Sequence, residues 1–190
     1  MQILRSKDLI DVPWKNGVGI TRNIATCSAA GQTVWRMSRA DVATNGGFSD
    51  FAGLTRILTV VAGSTMLLEH AGGTLEARLW EPLRFDGSMP VSARLTDGPL
   101  TDLNLMFDHL LCSAEVILRK GPLTQTSRCS QLACHVLSGT PRVNGMALNP
   151  ADTAFTDTAK LTLGAGDALL EIRISYTPQS KDITLAIAAR

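Results

Sequence analysis

The segment Trp35-Arg-Met-Ser-Arg-Ala-Asp41 carries two arginines, a serine and an aspartate. If this segment is a strand, Arg36, Ser38 and Ala40 share one face, because successive side chains of a strand point to opposite sides. Arg56, at the start of the next apolar run, adds a second cation. A guanidinium group can bind both oxygens of a carboxylate. If this face lines an interior, the arginines require an anionic partner, which is either a protein carboxylate or a ligand.

A second polar segment, Trp14-Lys-Asn-Gly-Val-Gly-Ile-Thr-Arg22, precedes this region. Lys15, Asn16, Thr21 and Arg22 supply hydrogen-bonding groups, and the two glycines allow tight turns or the close approach of a ligand. The segment is either part of a binding site or an ordinary solvated loop that leads into a strand.

The types of residue that usually carry enzymatic chemistry are sparse. His70, His109 and His135 are far apart, and none belongs to the HxH pair with which many cupins bind a metal ion. The sequence contains no GxSxG, P-loop or GxGxxG motif. We therefore expect no metal, no other cofactor and no assignable catalytic residue. Asp102 and Asp41 are the carboxylates that would move a proton if the protein were an enzyme.

Composition narrows the class of protein and of partner. Of the 190 residues, 45% are hydrophobic, 18 are lysine or arginine and 17 are aspartate or glutamate. A formal net charge of +1 gives no overall electrostatic attraction for nucleic acid or anionic lipid. The N-terminus lacks the features of a signal peptide, and no run approaches the roughly 18 apolar residues of a membrane span. The four cysteines form no CxxC pair, which favours reduced thiols and a cytoplasmic location.

Short apolar runs rich in Val, Ile, Leu and Thr recur between Gly, Pro, Asn and Asp, which predicts an all-β protein with few short helices. Predicted strands include 33–39, 56–62, 65–69, 74–79, 91–95, 114–119, 132–138, 140–143, 146–148, 153–156, 160–163 and 168–175. One helical turn is expected near 102–109, and 183–189 is either a last strand or a frayed end. Asn144-Gly145 indicates a hairpin turn. Two apolar strands that end in a glycine turn, at Gly63 and Gly139, echo each other and suggest two similar modules.

The polar segments also resemble the HutD/Ves family in sequence. The matching motifs occur in family order over roughly residues 13–106 and comprise 14–22, 35–42, 47–58, 85–87 and 97–106. The resemblance implies an RmlC-like bicupin that lacks the usual metal ligands and often associates as a homodimer. Its two jelly-roll, cupin-like β-barrel modules would pack side by side, with residues 1–106 in the first and 107–190 in the second.

HutD members accompany histidine-utilisation genes and are thought to regulate that pathway by binding formylglutamate or formiminoglutamate, whereas Ves members are linked to environmental stress. The resemblance therefore implies a non-enzymatic binder of a small anionic metabolite. The ligand-binding residues expected on this basis are Lys15, Asn16, Arg22, Arg36, Ser38, Arg56, Asp102 and Asn104. The alternatives are a Ves-like stress protein of unknown activity, a metal-independent cupin enzyme that acts on a small anionic substrate, and a closed, side-chain-filled structural barrel. An open polar pocket in the first module would argue against the closed barrel.

Overall fold

The computed structural model describes residues 1–14 and 19–188 and shows a nearly all-β protein. One large antiparallel sheet, called the cavity sheet, has the strand order β18-β3-β4-β11-β6-β9, and β2 pairs with β3 at one end. Its strands are β2 Val12–Pro13, β3 Gly19–Ala29, β4 Gln32–Val42, β6 Thr55–Ala62, β9 Leu83–Asp86, β11 Leu100–Phe107 and β18 Ile183–Ile187.

A second large sheet, the distal sheet, has the order β12-β17-β13-β16-β14-β15, and β1 pairs with β16. It is built from β1 Gln2–Leu4, β12 Cys112–Lys120, β13 Leu123–Ser138, β14 Arg142–Val143, β15 Met146–Ala147, β16 Thr153–Leu163 and β17 Ala168–Tyr176. A third, small sheet consists of β5 Gly46–Gly47, β7 Met66–His70, β8 Gly73–Ala77 and β10 Ser92–Leu95.

The main hydrophobic core lies between the cavity sheet and the distal sheet. Trp35, Leu105 and Phe107 from the cavity sheet belong to the same buried cluster as Leu170 and Ile172 from the distal sheet. A second cluster lies on the opposite side of the cavity sheet, against the small sheet. The cavity sheet is therefore covered on both faces. A third cluster packs on the outer side of the distal sheet.

The predicted all-β, cupin-like class is confirmed, although the sheets remain open and do not close into barrels over the described residues. The Asn144-Gly145 hairpin joins β14 to β15, and both residues have the positive φ angles that this turn requires. The helical turn expected near 102–109 is wrong, because Leu100–Phe107 is the strand β11. A single 3-10 turn occurs at Ser6–Asp8, and no helix of the described residues is long and apolar enough to cross a membrane.

The terminal strands pair across the predicted boundary between modules. The N-terminal β1 pairs with β16 of the distal sheet, and the C-terminal β18 pairs with β3 of the cavity sheet. The last apolar stretch is thus a packed strand, with Leu185 against the main core. The division after residue 106 stays a prediction, and it falls one residue before the end of β11.

Replacement of Leu105 tests this packing. Leu105 is 1% exposed between the two large sheets, so Leu105→Ala should lower the free energy of unfolding by about 2–5 kcal/mol in urea denaturation. Leu110→Ala is the matched control, since Leu110 is 68% exposed and its loss should change stability by no more than about 0.5 kcal/mol. Equal effects of the two substitutions would contradict the assignment of Leu105 to the core.

Candidate ligand-binding site

A cavity of about 500 Å³ opens on the face of the cavity sheet that is turned away from the distal sheet. Its volume lies within the range of sites that hold small molecules. Side chains of β4, β6 and β11 supply its polar groups, and Trp14, Phe48 and Phe51 supply apolar wall. This half of the protein therefore contains an open cavity with polar groups in a largely apolar lining, which argues against a closed structural barrel.

Five of the predicted binding residues meet in this cavity because of strand register. Ser38 on β4 lies opposite Asn104 on β11, and Met106 lies between Arg36 and Arg56 on the neighbouring strands. Asp102 pairs with Ala40 one step further along. Directly opposed side chains of adjacent strands share a face, so Arg36, Ser38, Arg56, Asp102 and Asn104 all line the cavity.

The remaining predicted residues do not join this group in the described structure. Arg22 is not among the lining residues, and it forms ion pairs with Asp11 and Asp41 at 2.5 and 2.6 Å. Lys15 and Asn16 lie outside the described residues.

Arg56 is the central cation of the cavity. Its Nε donates to Oδ1 of Asn104 at 2.7 Å, and its guanidinium carbon lies 4.5 Å from the centre of the Phe48 ring and 5.5 Å from that of Phe85. Arg56 is only 5% exposed. Burial lowers its pKa to about 10, an effect that Asp102 opposes and Arg36 reinforces. The group therefore stays charged at neutral pH, within a largely desolvated aromatic surround.

Asn104 connects Arg56 to Asp102. Its Nδ2 donates to Oδ1 of Asp102, and its Oδ1 accepts from Arg56. Asp102 belongs to the cavity lining but is fully buried, and its Oδ2 has no hydrogen-bond partner among the described residues. Burial raises the pKa of Asp102 to about 7, although Arg56 and the Asn104 hydrogen bond act in the opposite direction. At neutral pH, Asp102 is therefore divided between the protonated acid and the carboxylate.

Asp41, the other carboxylate of interest, is held in the charged form. Burial raises its pKa, but hydrogen bonds from Thr101 and Arg22 outweigh that effect and leave the pKa below its ordinary value. Thr101 Oγ1 and Arg22 Nη1 donate to the two carboxylate oxygens at 2.8 and 2.6 Å. Of the two carboxylates proposed for proton transfer, only Asp102 lines the cavity.

Arg36 and Ser38 complete the polar lining. Arg36 Nη2 donates to Asn23 Oδ1 at 3.2 Å, and its guanidinium carbon lies 5.5 Å from the Phe51 ring centre. Arg56 approaches the same ring at 6.0 Å. Two cations therefore flank one aromatic ring, with the Ser38 hydroxyl on the same face of the sheet.

The aromatic wall was not predicted from the sequence, although its residues lie inside or beside the family motifs. Trp14 Nε1 donates to Thr21 Oγ1 at 2.6 Å, and Gly19 allows this packing because a Cβ there would lie 2.9 Å from the Trp14 ring. Phe51 is anchored by its backbone N–H to Gly87, where a Cβ would lie 2.6 Å from the Phe51 carbonyl oxygen. Glycine is therefore needed in these two motifs because the backbone there packs closely against Trp14 and Phe51, which form the wall.

Across residues 1–14 and 19–188, no group of three or more His, Cys, Asp or Glu side chains is arranged to hold a metal ion. His135 is buried in the distal sheet, where its Nδ1 shares a hydrogen bond with Thr153 Oγ1 at 2.8 Å. Burial lowers the pKa of His135 to about 3, so it is neutral at physiological pH. The four cysteines are free thiols.

The burial of Asp102 predicts a pH-dependent stability difference. Its pKa is higher in the folded chain than in the unfolded chain, so its stabilising contribution is complete below about pH 4 and is lost as the pH rises through 7. Asn in place of Asp102 mimics the protonated acid. Relative to the wild type, Asp102→Asn should therefore gain about 2–3 kcal/mol in free energy of unfolding between pH 5 and 7.5.

Urea denaturation of both proteins at the two pH values measures this gain. Asp97→Asn is the control, since Asp97 lies in an exposed turn and its replacement should leave the pH profile of the wild type unchanged. A constant difference between Asp102→Asn and the wild type would show that Asp102 is ionised throughout this range.

Sequence comparisons connect the chain to two named groups of proteins. It is 34% identical over 154 residues to the protein Ves of Cronobacter sakazakii, a match that covers 79% of this chain and 83% of that protein. A Pseudomonas putida protein described as an uncharacterized 21.2 kDa protein in the hutC 3′ region is 40% identical over 110 residues. That match covers 56% of this chain and 58% of the relative, which is less than two thirds of its length.

Solved structures agree with the fold. HutD from Pseudomonas fluorescens SBW25 superposes with a TM-score of 0.81 at 28% identity, covering 93% of this chain and 98% of that chain. A cupin 2 conserved barrel domain protein from Leptotrichia buccalis gives a TM-score of 0.54 at 9% identity, over 80% and 89% of the two chains, a likeness of fold alone. The HutD family profile matches residues 6–173, and the chain therefore belongs to the HutD family.

Proposed function

We propose that this protein binds a small carboxylate metabolite without transforming it, and that the ligand is an acidic intermediate of histidine utilisation such as formylglutamate or formiminoglutamate. The observation that carries the proposal is the Arg56 guanidinium, which is 5% exposed and lines an open cavity of about 500 Å³. A buried cation beside an open space is stabilised by an anion that enters the space.

The hydrogen bonds of Arg56 support a carboxylate in particular. Its Nε donates to Asn104, and its two terminal nitrogens have no hydrogen-bond partner among residues 1–14 and 19–188. A carboxylate fits such paired donors because its two oxygens match the planar guanidinium edge. Asn104 bridges Arg56 and Asp102, and no direct hydrogen bond joins those two side chains in the described part of the chain.

The second cation favours a ligand with two acidic groups. Arg36 and Arg56 flank the Phe51 ring, and Ser38 adds a hydroxyl to the same cavity. A short dicarboxylate would place one carboxylate at each arginine, with its alkyl chain against Phe51 and Phe48. This arrangement uses polar groups for orientation and an apolar wall for burial, as small-molecule sites generally do.

The link to histidine utilisation comes from the relatives. HutD of P. fluorescens shares the fold over nearly the whole chain, and the P. putida relative is described by its position next to hutC. On this basis we propose a cytoplasmic regulator of that pathway. The match to Ves keeps a stress-related role as the alternative within the family.

One observation favours a metal-independent enzyme as the second candidate. Asp102 lines the cavity close to Arg56, and its pKa of about 7 suits a group that gives and takes a proton. Proton NMR of formylglutamate and formiminoglutamate incubated with the protein decides between the candidates. Unchanged spectra with saturable binding support a binding protein, whereas product signals that are lost in Asp102→Asn support an enzyme.

Thermal unfolding with added ligands tests the proposed function. Formylglutamate, formiminoglutamate, urocanate, histidine, glutamate and glutarate serve as the series, because a ligand of the native state raises the unfolding temperature by mass action. A saturable shift is expected with one acidic intermediate. Arg56→Met, which replaces the buried cation by an apolar side chain of similar length, should weaken its binding at least about tenfold.

Arg78→Ala is the matched control for removal of an arginine. The Arg78 side chain is 57% exposed and pairs with Glu76 at the surface, so this variant should bind as the wild type does. Unaltered affinity in a folded Arg56→Met protein would remove Arg56 from the site. No shift with any acid would favour the Ves-like role over a histidine-pathway ligand.

A further inference from the structure

The hydrogen bonds around Asn104 fix the direction of donation as far as Asp102. Arg56 Nε can only donate, so the Asn104 atom that faces it is the amide oxygen. The amide nitrogen of Asn104 must then face Asp102, where Oδ1 accepts from it. The remaining oxygen, Oδ2, is buried and has no partner among the described residues. An acid proton on Oδ2 is compatible with this pattern, because Oδ1 is then the carbonyl oxygen that accepts and no negative charge is left on an oxygen that lacks a donor among the described residues.

The charged groups around Asp102 come from two strands, and a third strand supplies a neutral hydrogen-bond partner. Arg56 lies on β6, Arg39 and Asp41 lie on β4, and Asn104 is the neutral neighbour on β11. The two arginines favour the carboxylate and Asp41 opposes it, but full burial is the largest influence and favours the acid. The pKa of Asp102 accordingly rises to about 7 in the empty cavity.

A ligand carboxylate adds a negative charge close to Asp102. If Asp102 were ionised, it would already offset the charge of Arg56, and two carboxylates would compete for one buried guanidinium. If Asp102 is protonated, the guanidinium is free to balance the ligand. The ionisation of Asp102 therefore determines whether the cavity accepts an anion or a neutral molecule.

We propose that the cavity binds its carboxylate ligand together with one proton, which Asp102 holds, so that Asp102 makes the site selective for anions and sensitive to pH. This inference rests on the proposed binding function and adds the protonation state that the function requires. The bound unit is then a guanidinium, a ligand carboxylate and a neutral acid.

The coupling has a quantitative consequence. Only the fraction of protein with protonated Asp102 binds the anion, so the apparent dissociation constant rises as that fraction falls. With Asp102 titrating near pH 7, the affinity for formylglutamate should fall about tenfold between pH 6 and pH 8. Formylglutamate is fully ionised over this range, since ordinary carboxyl groups titrate near pH 4, and contributes no titration of its own.

The first experiment begins with the protein free of ligand. The protein is labelled with ¹³C at aspartate carboxyl carbons, and the Asp102 signal is assigned by its absence in Asp102→Asn. That signal should titrate near pH 7 in the empty protein and should remain that of the acid to a higher pH in saturating formylglutamate. Titration below pH 5 in the empty protein would overturn the inference.

The second experiment measures formylglutamate binding by calorimetry at pH 6 and pH 8 in buffers of different ionisation enthalpy. The wild type should bind about tenfold more weakly at pH 8 and should take up about one proton per ligand there. Asp102→Asn presents a neutral group at every pH, so its affinity should be the same at both values and it should take up no proton. Asp97→Asn should retain the dependence of the wild type.

The outcomes separate this inference from the proposed function. Binding of equal strength at both pH values in the wild type overturns the proton coupling and leaves the binding function intact. Absence of formylglutamate binding at both pH values overturns the two together. If Asp102→Asn does not fold, the signal is assigned by its response to formylglutamate, and the two wild-type measurements still decide the question.

Discussion

The alternation of side chains along β4, β6 and β11 is the constraint on which the rest of the structure depends. On β11, Leu103 and Leu105 face the distal sheet, whereas Asp102 and Asn104 face the cavity. The same backbone thus serves a dry core and a polar site. A shift of one residue in the pairing of these strands would bury the charged set between the two large sheets and expose the apolar set.

Because each of these strands packs in the core on one face and lines the cavity on the other, a cation can be held in the interior. Arg56 is the second residue of β6, and its neighbour Ile57 packs in the main core, so the strand is fixed from the side opposite the cavity. Asn104 and the rings of Phe48 and Phe85 then confine the guanidinium. A rigidly placed cation loses little entropy when an anion binds, because its geometry is set before the ligand arrives.

The terminal strands connect the two large sheets through the backbone. β1 extends the distal sheet and β18 extends the cavity sheet, so each end of the chain pairs with the sheet in which the other half of the chain predominates. The sheets also share the apolar cluster that contains Trp35, Phe107 and Ile172. Stability of the cavity wall is therefore expected to depend on residues far from it in sequence.

Five of the eight residues expected from the sequence to bind a ligand line the cavity. The alternation in Trp35–Asp41 correctly placed Arg36 and Ser38 on one face, since a strand has a period of two whatever surrounds it. Arg22 could not be assigned this way, because its partners Asp11 and Asp41 are brought to it by strand pairing. The sequence wrongly predicts a helical turn within the strand β11, because a short apolar run does not by itself distinguish a helix from a strand.

The sequence by itself determined the all-β class, the family and the chemical character of a cationic site. These features follow from the sequence alone, because strand propensity, turn residues and the types of side chain are local properties. Only the tertiary structure decided that the site is an open cavity, that Phe48, Phe51 and Trp14 wall it, and that Asp102 lies fully buried behind Asn104. Burial and register depend on which distant strands pair, and the ionisation of a carboxyl group follows from that burial.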